Sequence, residues 1–313
     1  MSKRLNRIGI VIDGSYYGHD TGPGHPESAE RLKAVQHGLD SIGDIIRIGA
    51  REASRDELLL VHTPEYVDKI LNMNVTQIEM LDPDTPVSPG TREAALKAVG
   101  GVLEAVDHVV RGEIDRVFCA VRPPGHHAES DRAMGFCIFN NVAVGAAYSL
   151  GKTGIQRAAI VDWDLHHGNG TQNVFYDSNK VMYISLHQFP YYPGSGSSFE
   201  TGEGDGRGFT INIPMPPGSG AEDYRDAFEV TVIPALDDFK PDLLFISAGF
   251  DAHRSDPLGN INLTSEYYGE MTSLLRDLAG KHCRGRIISV LEGGYNPQAL
   301  KESVTAHLRE LAG

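Results

Sequence analysis

A chain of 313 residues, 41% apolar and 22% charged, can bury a sizeable core and has the composition of an ordinary globular protein. Its formal net charge of −14, with no concentrated basic stripe, excludes a general nucleic-acid binder and fits solubility or the attraction of cationic substrates. No apolar run reaches membrane-spanning length, and three cysteines (Cys119, Cys137, Cys283) without CxxC spacing point to reduced thiols in a cytoplasmic setting rather than a disulfide framework.

In chain order, the first apolar run is IGIVI (8–12). It follows a short basic start with no small-residue cleavage site, so it reads as a first strand and not as a signal peptide. RVFCAV (116–121) reads as a buried strand running into RPPGHH, and residues 140–152 follow with a helical pattern. AAIV (158–161) runs into DWDLHH, and VMYISL (181–186) runs into His187. The stretch 187–208, HQFPYYPGSGSSFETGEGDGRG, is too long for an ordinary connection; its tyrosines and prolines favour an ordered loop at the rim of a site. A helical segment at 222–239 precedes DLLFIS (242–247), which runs into AGFDAH, and RIISVL (286–291) runs into EGGY.

Near-continuous apolar strands alternating with helices predict an α/β fold, a mostly parallel sheet covered on both faces. No repeat, low-complexity tract or linker-like shift interrupts it, so residues 1–313 are expected to form one domain. In such sheets ligands bind outside the carboxyl ends of the strands, which is where the unusual polar residues of this chain collect.

Residues i, i+2 and i+4 of an extended chain point to one side, so Asp162, Asp164 and His166 are expected to converge. An Asp and a His two apart, with a carboxylate from another strand end, make a three-ligand zinc site with an open position; Asp251 is the natural third ligand. His126 and His127 follow a Pro-Pro-Gly turn and cannot face one way in extended chain. Either one is a ligand and the other is not, or both are acid–base groups at different depths. Tyr295, after Gly293 and Gly294, stands where a phenol can swing in as a hydrogen-bond donor.

Together GHPESAERL (24–32), RPPGHHAESDRAMGFCIFNN (122–141), VDWDLHHGNGTQ (161–172), YISLH (183–187), SAGFDAHRSDPLG (247–259) and LEGGYN (291–296) resemble the zinc-dependent histone deacetylase family. Asn169 and the LEGGYN ending are most similar to its class II branch and bacterial relatives, which are related to acetylpolyamine amidohydrolases. The resemblance implies a three-layer α/β/α arginase/deacetylase fold with its active site at the C-terminal strand ends. It implies one catalytic Zn²⁺ on Asp164, His166 and Asp251. His126 would be oriented by Asp162 and His127 by Asn169, with His127 as general base and acid, and Tyr295 would donate to the oxyanion. Class I relatives carry Asp where this chain has Asn169. One or two K⁺ are implied as well, the first at Asp162, Asp164, His166, Ser185 and Leu186, the second at Phe175, Ser178 and Val181. Phe136 and Tyr192 would wall the substrate channel, with Gly135, Gly294 and Leu258 beside it and Asp82 or Asp84 at the rim.

The implied substrate is acetyl-lysine, or a related acyl-lysine, in proteins or peptides. The alternative is a small acetylated polyamine, for which some relatives carry a carboxylate at the position of Leu258. A binuclear manganese ureohydrolase on the same fold needs a second bridging carboxylate. Here the run is Asp164-Leu165-His166-His167-Gly168, and the other is Asp251-Ala252-His253, so one metal fits better. A module that binds acyl-lysine without turnover would have a damaged constellation, and this one is intact. Neither a nucleic acid nor a membrane is expected as a partner; the long rim loop could support a homo-oligomer.

Overall fold

The computed structural model describes residues 8–40, 42–43 and 45–313; the basic start ahead of Ile8 lies outside them. The chain runs through β1 (Ile8–Val11), α1 (Glu30–Leu39), β2 (Ile45–Ile48), α2 (Arg55–Leu58) and α3 (Pro64–Leu71). The hairpin β3 (Glu79–Asp82) and β4 (Thr85–Val87) leads to α4 (Thr91–Val110), β5 (Arg116–Cys119) and α5 (Asn141–Leu150). Next come β6 (Ala158–Asp162), α6 (Asn169–Val174), β7 (Val181–Gln188) and β8 (Thr210–Met215). Then α7 (Ala221–Ala227), α8 (Ile233–Phe239), β9 (Leu243–Ala248), α9 (Ser265–His282), β10 (Ile287–Leu291) and α10 (Pro297–Ala312) complete the described fold.

Eight strands form one sheet in the order β2-β1-β5-β10-β9-β6-β7-β8, and every pair is parallel. β5, β10, β9, β6 and β7 are buried along their whole length, which is why their sequences are apolar without alternation. The edge strands differ: β2 exposes Ile46 and Arg47, and β8 alternates between buried and half-buried positions. α4 and α5 pack together on the strands, while α10 packs between α1 and α9 and also touches β5, which gives a helical layer on each side. The helix expected over 222–239 is interrupted. A π-turn at Phe228–Val232 separates α7 from α8 just before Pro234, whose missing N–H cannot continue the helical ladder.

Register aligns the exits of the central strands. Asp162 at the end of β6 lies beside Ser247 of β9, Leu291 of β10 beside Ala248, and Val290 beside Cys119 of β5. The four strand ends carrying the polar motifs are therefore immediate neighbours. Cys119, Cys137 and Cys283 are free and buried. No helix among the described residues is long and apolar enough to cross a membrane.

Candidate active site

The extended-chain reasoning for Asp162, Asp164 and His166 needs correction. β6 ends at Asp162 and the chain bends through 164–166, so the three side chains do not share a side. Asp162 turns away: its Oδ2 accepts from His126 Nδ1 (3.0 Å) and the Tyr183 hydroxyl (2.9 Å), and its Oδ1 from the Asp164 N–H (3.1 Å). The same bend brings Asp164 and His166 to Asp251. His166 Nδ1 is 3.1 Å from both Asp164 Oδ1 and Asp251 Oδ2, and the three ligand atoms lie within 4.8 Å of one another.

Backbone donors hold both carboxylates from behind: Leu165 N–H to Asp251 Oδ1 (2.8 Å) and Gly293 N–H to Asp164 Oδ2 (2.8 Å). A Cβ at residue 293 would stand 2.3 Å from Asp251 Oδ2, so only glycine lets the loop after β10 close over them. Burial and the neighbouring Asp164 charge raise Asp251 well above the ordinary carboxylate range. Burial lowers His166, but the two carboxylates outweigh it and raise the ring to about 9. A crowded, buried pair of carboxylates with one imidazole is short of positive charge. A zinc ion would meet that demand, favouring ionised Asp251 and a neutral His166 with a lone pair to offer.

The tandem histidines leave the β5 exit on Pro123-Pro124-Gly125, and Glu292 at the end of β10 accepts from the N–H groups of Gly125 (2.6 Å) and His126 (3.1 Å). Neither ring belongs to the metal-ligand trio, and their partners differ. Burial works against charge on His126, yet Asp164, Asp162 and Glu292 hold it up to about 10. His127 Nδ1 lies 2.8 Å from the amide oxygen of Asn169. That oxygen can only accept, so Nδ1 carries the proton and Nε2 keeps its lone pair. Burial, then the neighbouring His126 and His166, push His127 well below its ordinary 6.5.

Sequence reasoning missed the clamp beneath these loops. Arg122, just before the Pro-Pro turn, grips buried Glu27 with two bonds (2.6 and 2.8 Å). Arg31 donates to the same Glu27 (3.1 Å), to the Gly294 carbonyl (2.7 Å) and to the Glu292 carbonyl, and lies 5.0 Å from the centre of the Tyr295 ring. One carboxylate thus fixes the histidine loop and the tyrosine loop to each other. The four-residue spacing of Glu27 and Arg31 in GHPESAERL was the available signal.

Above the floor lies a cavity of about 160 Å³ lined by Asp84, His127, Gly135, Phe136, His166, Tyr192, Leu258 and Tyr295. Tyr192 stands edge-on to His127 (5.2 Å between ring centres) and Phe136 edge-on to Tyr295 (5.9 Å). Phe136 is held at φ +68°, a strained setting for a bulky residue, with Gly135 at +58° beside it; a Cβ on Gly135 would strike the His127 ring. Asp84, not Asp82, lines the cavity, its Oδ1 accepting from Gly135 N–H (3.0 Å) and the Thr85 hydroxyl (2.9 Å).

Gly294 is not among the lining residues; its carbonyl is turned to Arg31. Tyr295 is anchored by its N–H on Asp256 (2.7 Å), while its hydroxyl has no hydrogen-bond partner among the described residues. Burial holds that phenol well above 10, so it stays a donor. The rim loop starts inside β7 and is tied back by Glu200, which accepts from the N–H groups of Gly196 and Ser197, and by His187, which donates to the Gly196 carbonyl. It also delivers Tyr191, unforeseen, which stacks on His166 and bonds the Leu258 carbonyl (2.8 Å). Of the residues expected around potassium, Asp162 and Ser185 pair across β6 and β7, while Phe175 and Ser178 share a turn ahead of Val181.

The family profile described as Histone deacetylase domain matches residues 25–311. This chain belongs to that family. It is 42% identical to a "Probable deacetylase" of Archaeoglobus fulgidus, over 92% of this chain and 81% of the relative. It is 40% identical to the "Histone deacetylase-like amidohydrolase" of Pseudomonas aeruginosa, over 93% and 77%. The crystal structure of the HDA15 HD domain superposes with a TM-score of 0.92 at 38% identity, covering 97% of this chain and 91% of that one. The protein is thus a histone deacetylase-family amidohydrolase on the α/β fold expected from its strand pattern, with a candidate Asp–His–Asp metal site.

Proposed function

We propose that this enzyme, a single catalytic domain over 1–313, hydrolyses the amide of N6-acetyl-lysine or a related acyl-lysine, releasing the carboxylate and the free lysine amine. The observation that carries the reading is the narrow cavity, walled by Phe136 and Tyr192, that ends on His127, His166 and Tyr295. A four-methylene chain suits such walls, and its amide reaches the polar floor.

Asp164, His166 and Asp251 would hold zinc, which when bound would polarise the acetyl carbonyl and water as a Lewis acid. His127, neutral and with Nε2 free, takes the proton of the attacking water and returns it to the leaving amine. His126, oriented by Asp162, contributes a positive charge where negative charge develops. The Tyr295 hydroxyl donates to the oxyanion as it forms, and Asp84 at the rim accepts from substrate backbone N–H groups. K⁺ would occupy the turns around Asp162, Asp164, His166, Ser185 and Leu186, and around Phe175, Ser178 and Val181, where carbonyl oxygens suit a hard cation.

A net charge of −14 favours any cationic substrate, so acetylated polyamines are the second reading; the apolar Leu258 at the rim favours the peptide. The test compares an acetyl-lysine peptide with acetylputrescine and acetylspermidine under identical conditions, with a chelator control and zinc add-back. The proposal expects a zinc-restored preference for the peptide. Preference for the polyamines would move the function to small-molecule metabolism.

A further inference from the structure

An amide beside a catalytic imidazole has a choice that a carboxylate lacks, since either its oxygen or its nitrogen can face the ring. Asn169 makes one choice, Oδ1 toward His127 Nδ1, and the group behind it explains why. Glu129, three residues beyond His126 and buried, accepts from Asn169 Nδ2 at 2.5 Å. Both of its oxygens also accept from Asn173 Nδ2 at 3.0 Å. Asn169 and Asn173 are one turn apart on α6, so their amides reach the same carboxylate.

Glu129 is itself fixed at the backbone. Its N–H donates to the Arg132 carbonyl (3.0 Å), and its own carbonyl accepts from His62 Nδ1 (3.0 Å), whose Nε2 accepts from the Asn140 N–H (3.0 Å). Turning the Asn169 amide over would set its oxygen against a Glu129 oxygen with no proton between them. It would also aim an N–H at His127 Nδ1 and drive the ring proton to Nε2, the atom that must be free to accept one.

Resting on the function proposed above, we propose that Glu129 is a positioning residue: through the Asn169 amide it selects the Nδ1–H form of His127 and leaves Nε2 open toward the substrate. By pulling on the amide N–H it also makes the Asn169 oxygen a stronger acceptor, so that a neutral side chain performs part of what the Asp162 carboxylate does for His126.

The test uses the zinc-loaded full chain. Glu129→Gln can offer Asn169 either an oxygen or an N–H, so kcat is expected to fall about 10- to 100-fold with KM nearly unchanged. Adding Asn169→Asp in that background removes the ambiguous amide and is expected to restore most of kcat. Asn169→Asp alone sets a second carboxylate against Glu129 in place of the amide N–H donor and is expected to lower kcat below the native value.

The independent readout is ¹⁵N NMR of the His127 ring, assigned with His127→Ala: Nδ1–H in the native protein and mixed tautomers in Glu129→Gln. A native His127 protonated at Nε2 overturns the proposal without any variant. So does a Glu129→Gln protein, or Glu129→Ala should the first not fold, that keeps both the tautomer and kcat. If no acyl-lysine substrate turns over, the function proposed above fails, while the spectra still decide whether Glu129 sets the tautomer.

Discussion

At the floor of the site, Asp162, Asp164, Asp251 and Glu292 sit at or just beyond the ends of buried parallel strands. All eight of their carboxylate oxygens are engaged by a backbone N–H, a ring nitrogen or a hydroxyl. At the mouth, Phe136, Tyr192 and Leu258 come from loops and are held by ring edges and single hydrogen bonds. The floor is over-determined and sets the chemistry, while the mouth has few fixed contacts and sets what enters. Substitutions below should therefore change kcat or folding, and substitutions above should change selectivity.

The sharpest division is expected at Tyr295. Tyr295→Phe removes a hydroxyl with no hydrogen-bond partner among the described residues and leaves the backbone anchor on Asp256, so kcat should fall about 100- to 1000-fold with KM and folding retained, as steady-state kinetics and thermal unfolding would show. Comparable activity in that variant would remove the phenol from the chemistry.

Glu27 tests the floor's support instead of its chemistry. Burial alone would raise its pKa, but Arg122 and then Arg31 outweigh burial and bring it from 4.5 to about 2. The stabilisation, about 3 kcal/mol, is therefore present above pH 4.5 and lost as pH falls through 2. Glu27→Gln should cost at least that much at pH 7 in denaturant unfolding, because two buried guanidinium groups lose their charge partner.

The pH–rate profile separates the two histidines. With His127 held well below 6.5 and His126 raised above it by the carboxylates of Asp164 and Asp162, activity should be level through neutrality and fall at alkaline pH as His126 loses its proton. Asp162→Asn removes a group that favours the charged ring, so the alkaline limb should move to lower pH. An unmoved limb would assign it to another group. The smallest effect is at the mouth: Leu258→Glu should shift the peptide-to-polyamine ratio of kcat/KM by about 10-fold toward the polyamine with kcat on the peptide little changed.

The legible parts of the molecule are those whose physics is local. Central strands announce themselves as apolar runs because both faces are covered, whereas β2 and β8, at the edges, mix buried positions with exposed ones in β2 and half-buried ones in β8, and went unread. Asp164 and His166 were legible as a pair, but the bend after β6 that turns Asp162 away is a tertiary effect of its bonds to His126 and Tyr183. The clamp was hidden because Arg122 is 95 residues from Glu27, and Arg31 is 263 from Gly294. Glu129 and Asn169, 40 apart, were hidden for the same reason. Asp82 and Asp84 look alike in sequence; only the hairpin decides which one faces the channel.

The most direct test of the account is a zinc titration of the metal-stripped protein, reading bound metal and acetyl-lysine peptide hydrolysis in the same samples. The account predicts that both rise together and saturate at about one zinc per chain, and that His166→Ala binds little zinc and loses about 1000-fold or more in rate. Full hydrolysis by the stripped protein, or by His166→Ala, would contradict it.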